Sequence, residues 1–204
     1  MPFSNIKKLQ RVVFYHFEAR YRTGADREVL AAGLWQIPSL HEKWPRIHLL
    51  LLDCPPSLSL LTVNALVASD YCLIPIESGS KYSLDGYEDL EELIRDVRDV
   101  NPKLDILGVL ITRHDGRKNV CKAMKVAIER RFGAQVFQTA ITSSAKIQEA
   151  EASKRSIFQH DRQSNGARDF MALGREVLTR LQLHIPVSSN EVQDYPSGPV
   201  SLLQ

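Results

Sequence analysis

The sequence predicts an α/β fold in which a mostly parallel sheet is covered by helices on both faces. Four short apolar runs are typical of buried strands and occupy residues 46–53, 71–76, 105–112 and 136–141. Segments with helical spacing alternate with them or follow the last one, at residues 60–69, 84–100, 119–132, 145–152 and 165–183. Because strands alternate with helices, we expect right-handed β-α-β crossovers and therefore parallel pairing.

Composition limits the class of protein before any motif is considered. The chain has 204 residues, 44% of them hydrophobic and 25% charged, which suits one soluble globular domain with a tail. Its longest apolar runs, at 47–52 and 106–111, are far too short to span a membrane, and no signal peptide follows the early lysines. Three scattered cysteines without a CxxC pair argue against a disulfide framework or a zinc site. We therefore expect a cytoplasmic protein.

The predicted elements have identifiable ends. The strand at 46–53 closes on Asp53 and is stopped by Pro55 and Pro56. The helix at 84–100 carries an acidic outer face and ends before Pro102. The basic helix at 119–132 stops at Gly133.

The two ends of the chain are less regular than its centre. Residues 6–21 are compatible with either a strand around 12–17 or a basic helix, whereas residues 27–40 are expected to be helical. Trp35 and Trp44 are expected to anchor this segment to the core. Residues 185–204 hold three of the ten prolines without periodicity, so we expect a disordered or loosely docked tail. The predicted division is a divergent segment at 1–45, a core at 46–183 and a tail at 184–204.

Charge is distributed unevenly along the chain. The formal total is +2, but residues 77–105 contain nine acids and four bases, a net charge of −5. Residues 113–155 contain ten bases and four acids, a net charge of +6. The basic stretch could bind the phosphate backbone of a nucleic acid, or it could be an ordinary solvated helix face.

Asp53 is the first candidate for chemistry. An acid at the carboxyl end of a buried parallel strand lies where α/β sheets bind ligands, and in nucleotide-binding proteins such an acid accompanies Mg²⁺. The same pattern also arises for turn or capping reasons. The adjacent Cys54 is expected to pack in the core. His114 and Asp115 would lie at the same sheet edge, either as an ordinary turn or as a nucleotide contact.

The longer context of Asp53 resembles the Walker B region of ParA/Soj-type partition ATPases, which belong with MinD to the deviant Walker class. The resemblance begins with LLLLDCPPSLSLLTVNALVASD at 49–70 and continues through LIPI at 73–76, YSLDG at 82–86 and NPKL at 101–104. It extends through ILGVLIT at 106–112 and Glu149-Ala150. In all it covers roughly residues 44–181, and it implies a three-layer fold like that of P-loop NTPases, incomplete at the N-terminus.

The resemblance implies an ATP-dependent switch that positions plasmids or chromosomes at the nucleoid in the cytoplasm. Family members use ATP and Mg²⁺, form a dimer, bind DNA without sequence preference and respond to a ParB-like stimulating protein, with no membrane required. By position, Asp53 would be the catalytic and metal-associated acid, and Thr112, Arg113 and Thr142 would lie at the nucleotide. The implied DNA contacts are Arg117, Lys118, Lys146, Lys154 and Arg155. Thr142-Ser143-Ser144 replaces the family's Pro-Arg-Asn, which removes one DNA-binding Arg.

The family's phosphate-binding loop has no counterpart in this sequence. None of the ten glycines precedes a lysine and no two are adjacent, so there is no Gly-Lys-Thr cradle. We therefore expect this chain alone to bind no ATP or Mg²⁺ and to be inactive alone. The chain is then either an N-terminally truncated product of a partition gene or a non-catalytic relative that binds DNA or a partner. A MinD-like membrane-cycling ATPase is a third alternative, but the proline-containing tail offers no amphipathic helix.

Overall fold

The computed structural model describes residues 10–15, 49–55, 57–80 and 84–183. Its strands are β1 (Gln10–Tyr15), β2 (Leu49–Cys54), β3 (Tyr71–Glu77), β4 (Asp105–His114) and β5 (Val136–Thr142). They form one sheet in the order β2-β1-β3-β4-β5, and every pair is parallel. The predicted fold class is therefore confirmed.

Helices connect and cover these strands. They are α1 (Leu60–Ala68), α2 (Asp85–Val100), α3 (Asn119–Phe132), α4 (Ala145–Ala152), α5 (Ile157–His160) and α6 (Asn165–Arg180). A 3₁₀ turn at Gly133–Gln135 joins α3 to β5.

The N-terminal strand β1 lies inside the sheet. Val12 pairs with Leu51 of β2 on one side and with Tyr71 of β3 on the other. Of the two alternatives left open for this region, the strand is confirmed and the basic helix is wrong over residues 10–15. β1 therefore fills the place between β2 and β3 in the sheet.

Two hydrophobic cores lie on opposite faces of the sheet. On one face, α1, α2 and α3 bury side chains such as Leu66, Leu90 and Ile128 against strand residues such as Ile74 and Val109. The other face holds a core in which Leu173, Val177 and Leu181 meet Leu73, Leu107, Leu110, Phe137 and Ile141. The three successive crossovers through α1, α2 and α3 share the first face, which is what right-handed crossovers produce when β2, β3, β4 and β5 advance in one direction.

Helix α6 closes the outer edge of β5. The carboxylate of Glu176 accepts hydrogen bonds from the backbone N–H groups of Gln138 at 2.8 Å and Thr139 at 2.9 Å. The Arg180 guanidinium donates to the carbonyls of Leu107, Gln135 and Val136 and stacks 4.0 Å from the Phe137 ring centroid. Polar groups that an edge strand would expose are therefore bonded within the chain.

Most predicted boundaries agree with the structure, and the differences have local causes. Helices α3 and α4 have the predicted bounds, whereas β4 runs two residues further, to His114. Helix α6 ends at Arg180 rather than at 183. The short α5 was not predicted, because four residues show no periodicity; a capping box between Ser156 and Gln159 starts it. The predictions for residues 27–40, for Trp35 and Trp44 and for the tail lie outside the described residues.

Candidate functional site

Asp53 lies at the carboxyl end of β2, with its side chain exposed. The next residue, Cys54, is buried in the core with Cys72, which confirms its predicted packing role. Burial raises the pKa of the Cys54 thiol, and the negative charge of Asp53 raises it further. The thiol is therefore a packing group, and the exposed carboxylate is the part of this strand end that is open to a ligand.

The ends of β3 and β4 form the next part of the same edge. Glu77 pairs in register with Thr112, and the Ser78 N–H donates to the Thr112 carbonyl at 3.1 Å. Arg113 adopts a left-handed backbone with φ of 49°, and its Nη1 lies 3.7 Å from Glu77 Oε2. Such a conformation costs an L-residue free energy, and it coincides with the irregular pairing of β4 with β5 between Ile111 and His114.

A serine and a histidine link the ends of three strands. Ser78 Oγ lies 3.0 Å from His114 Nδ1, and Ser78 is fully buried. The His114 carbonyl accepts a hydrogen bond from the Ser143 N–H at 3.0 Å. His114 therefore connects β3 to β4 through its side chain, and it connects β4 to the segment after β5 through its carbonyl. It does more than form an ordinary turn.

Thr142 ends β5 and is held by a residue that the sequence did not indicate. Its backbone N–H and its hydroxyl both donate to Asp169 Oδ2, at 2.9 and 2.5 Å. Asp169 lies in the first turns of α6, 27 residues further along the chain. No local spacing could connect the two residues, because their contact depends on how α6 packs against β5.

The predicted catalytic and nucleotide positions share one sheet edge but not one strand pair. Thr142 pairs in register with His114, two residues beyond Thr112. Asp53 lies three strands away from β4 in the order β2-β1-β3-β4. At a strand spacing of about 4.8 Å, this places Asp53 roughly 14 Å from Thr112 along the edge. An extended ligand could contact both places, whereas a small ion could not.

Two of the predicted DNA-binding cations are engaged by acids of the same chain. Arg117 Nε lies 3.0 Å from Asp115 Oδ1, and Arg117 Nη2 lies 3.1 Å from Asp115 Oδ2. These bonds, with the Arg117 backbone N–H, lower the pKa of Asp115 to about 2. Lys146 Nζ lies 2.7 Å from Glu149 Oε2. For phosphate binding, each of these cations must be shared with its acid or released from it.

The other predicted cations are more available. Lys118 directly precedes α3, and Lys154 and Arg155 follow α4; all three are exposed and make no ion pair within the described part of the chain. Lys154 has a left-handed backbone with φ of 53°. Across residues 113–155, ion pairs hold Arg113, Arg117, Lys125, Arg131 and Lys146, which is half of the ten bases.

Helices α4 and α5 are held above the carboxyl edge of the sheet. Ala150 and Ile157 bury against Ala167 of α6, with Ile147 packed alongside. Gly166 allows this approach, because a Cβ there would lie 2.7 Å from Ile147 Cγ1. Since Asp169 joins the same end of α6 to Thr142, the basic segment around Lys154 lies at the end of the sheet where the strands terminate.

Within 10–15, 49–55, 57–80 and 84–183, no three His, Cys, Asp or Glu side chains come together in a way that could hold a metal ion. Among the helices in these same ranges, none combines the length and the apolar character needed to cross a membrane.

Comparisons with known proteins place these features in context. A family model described as "AAA domain" matches residues 36–106. The chain is 38% identical over 135 residues to a Thermus thermophilus protein named "Chromosome-partitioning ATPase Soj", a match that covers 66% of this chain and 54% of that protein. It is 36% identical over 132 residues to "Chromosome partitioning protein ParA" of Myxococcus xanthus, covering 64% of this chain and 46% of that protein.

A solved structure supports the fold. Cobyrinic acid a,c-diamide synthase from Mycobacterium smegmatis, with a bound ATP analogue and magnesium, superposes with a TM-score of 0.57 at 23% identity. That match covers 78% of this chain and 60% of the synthase. The chain spans about half the length of the curated relatives described above.

Proposed function

Because the chain belongs to the ParA/Soj family, we propose that it carries the Walker B half of an ATP-dependent partition protein. One observation carries this proposal: Asp53, Thr112 and Thr142 lie at the carboxyl edge of one parallel sheet, where doubly wound folds bind their ligands. Asp53 would stand near the phosphates with Mg²⁺, while Thr112, Arg113 and Thr142 would border the base.

The residues present fit this ligand only in part. The exposed Asp53 suits a Mg²⁺ ion held through its water shell, since Mg²⁺ keeps several waters and needs few carboxylates. The sequence offers no glycine followed by lysine, so the backbone cradle and the cation that hold the phosphates are lacking. We therefore derive no hydrolytic step for this chain and propose that alone it binds Mg-ATP weakly or not at all.

Calorimetric titration of the chain with Mg-ATP tests that statement. We expect no saturable heat at micromolar protein and nucleotide. If the chain bound Mg-ATP with a micromolar dissociation constant and Asp53→Asn abolished that binding, the chain would be able to bind nucleotide after all and Asp53 would belong to the site. Micromolar binding unchanged in that variant would also contradict the placement of Mg²⁺ at Asp53.

The basic surface supports a second part of the proposal, which is binding to DNA without sequence preference. We call Arg117, Lys118, Lys146, Lys154 and Arg155 the cationic surface. Its side chains are ammonium and guanidinium groups of the kind that contact phosphates, and the two aromatic residues between these positions in the sequence, Phe132 and Phe137, are buried and do not offer base stacking. Binding should therefore weaken steeply with salt and should not depend on base sequence.

We infer one alternative, in which the chain is a non-catalytic module that binds DNA or co-assembles with an intact family member. Mixing the chain with an intact ParA/Soj protein distinguishes the two. A module is expected to alter the partner's ATP turnover or its DNA binding at stoichiometric ratio. A chain that leaves both unchanged, and does not co-elute with the partner, would contradict co-assembly. Dimer formation and the response to a ParB-like protein are proposals of the same kind.

A further inference from the structure

Lys146 of the cationic surface is held by a carboxylate of its own helix. Its Nζ lies 2.7 Å from Glu149 Oε2, one turn along α4, and about half of each side chain is exposed. The bond raises the pKa of Lys146, and it contributes with His160 to lowering the pKa of Glu149. Lys146 is therefore charged but locally neutralised.

A second donor fixes the same carboxylate oxygen. His160 Nε2, on α5, lies 3.2 Å from Glu149 Oε2, and the His160 side chain is 22% exposed. Because a carboxylate can only accept, Nε2 carries the hydrogen in this contact. Glu149 therefore contacts one side chain of its own helix and one of α5. These two contacts together fix its carboxylate beside Lys146.

The acid that pairs with Arg117 is bonded differently. Asp115 accepts from two guanidinium nitrogens of Arg117 and also from its backbone N–H, all within a turn of three residues. Such a local arrangement shapes the turn itself. The Lys146 ammonium, at the end of a four-carbon stem, can leave Glu149 without any backbone change.

We propose that Glu149 is a competing carboxylate that reduces the affinity of the cationic surface for the phosphate backbone of DNA. A phosphate that binds Lys146 must share the ammonium group with Glu149 or displace that carboxylate, so part of the favourable interaction replaces or weakens an ion pair already present. Removing the charge of Glu149 frees Lys146 and adds one phosphate contact. This inference rests on the proposed DNA binding.

The test compares Glu149→Gln with Glu151→Gln in the full chain. Both substitutions remove one negative charge from α4, but Glu151 is exposed and makes no side-chain ion pair within the described residues, so it controls for the general gain in charge. Binding to a fluorescent mixed-sequence DNA duplex is measured across a salt series. We expect Glu149→Gln to tighten binding about threefold and to steepen the slope of log K against log[salt] by about 0.9.

Glu151→Gln should change affinity less than Glu149→Gln and leave the slope unaltered. A Lys146→Ala background completes the cycle, in which the gain from Glu149→Gln should disappear. Equal effects of the two glutamine variants, or a gain that persists without Lys146, would overturn the role of Glu149. Absence of binding in every variant would overturn it as well.

The proposed DNA binding fails separately. DNA binding by the unmodified chain is contradicted if that chain binds the duplex with no salt dependence. It is also contradicted if the unmodified chain does not bind the duplex although Glu149→Gln does. In the latter case, the competing role of Glu149 stands and the unmodified chain is blocked by it. Thermal unfolding midpoints within a few degrees of each other establish that the variants are folded.

Discussion

Asp169 Oδ2 accepts two hydrogen bonds from Thr142, one from its backbone N–H at 2.9 Å and one from its hydroxyl at 2.5 Å. One carboxylate on α6 thus fixes the last residue of β5 and the start of the segment that leads into α4. Because the Thr142 hydroxyl donates its hydrogen to Asp169, it can offer a ligand only its lone pairs. The end of β5 is consequently preset by α6 before any ligand binds.

We predict that Asp169→Ala lowers the free energy of unfolding by about 1–3 kcal/mol, because a half-buried N–H and hydroxyl lose their acceptor. Urea denaturation measures the change. Asp99→Ala is the control, since Asp99 lies exposed on α2 and its loss should matter by less than about 0.5 kcal/mol. Equal destabilisation by the two substitutions would show that the Thr142 contact contributes nothing specific.

Gly108 offers a second test of packing at β4. Its φ is +156°, and an added Cβ would lie 2.5 Å from Arg180 Nη1, 2.6 Å from the Gln135 carbonyl oxygen and 2.7 Å from the Phe137 ring. We predict that Gly108→Ala destabilises the protein by about 2–3 kcal/mol, because a backbone carbonyl cannot move aside as a side chain can. The measurement is chemical denaturation followed by circular dichroism.

Gly174→Ala is the matched control for that substitution. Gly174 lies in α6, and a Cβ there meets nothing within 4 Å. Alanine should stabilise the helix by about 0.5–1 kcal/mol. If both alanine substitutions shifted stability in the same direction, the crowding at Gly108 would not be the cause.

Hydrophobic periodicity predicted the fold well where elements are long and buried. Helix α3 spans Asn119–Phe132 as expected, since apolar spacing, a basic outer face and the stop at Gly133 agree. The interior position of β1 could not be predicted, because its pairing partners lie more than thirty residues away. Long-range pairing of this kind leaves no trace in local spacing.

The sequence predicted where the candidate residues lie in the fold but not how they are bonded. An apolar strand ending in Asp53 sufficed to place an acid at the carboxyl edge of the sheet, although β2 is not buried on both faces as predicted, since Leu51 is 51% exposed. The engagement of Lys146 by Glu149 follows from helical spacing of three residues, yet spacing alone does not distinguish a bonded pair from a solvated one. His160 joins that pair only through the packing of α5, and Asp169 reaches Thr142 only through the packing of α6.

The pH dependence of stability should reveal Glu176. Burial raises the pKa of Glu176, but hydrogen bonds from Thr139, Gln138 and Arg180 outweigh it and hold the pKa below its usual range. A carboxyl with a lowered folded-state pKa adds stability above its unfolded value of about 4.3, and that stability is lost as pH falls through the folded value. We predict that Glu176→Gln flattens the fall in unfolding free energy between pH 6 and 3.

The control for that measurement is Glu151→Gln. Because Glu151 is exposed, its removal should leave the fall in unfolding free energy between pH 6 and 3 as steep as in the unmodified protein. Asp115 stays in both variants, so its own contribution cancels in the comparison. If the unfolding free energy fell equally steeply with pH in the Glu176 and Glu151 variants, the edge of β5 would not be held by the ionised Glu176 carboxylate.

Cations of the cationic surface that make no ion pair within the described residues should contribute most to binding DNA. We predict that combining Lys154→Gln with Arg155→Gln weakens duplex binding about tenfold near 0.1 M salt and reduces the salt slope by about 2, since each lost phosphate contact removes about 0.9. Lys103→Gln removes a cation from the loop before β4, at the opposite edge of the sheet, and should leave the slope unchanged. Glutamine retains the stem of each side chain, so lost packing does not explain a difference. Equal slopes for all three proteins would place the DNA on another face and separate Lys154 and Arg155 from its binding.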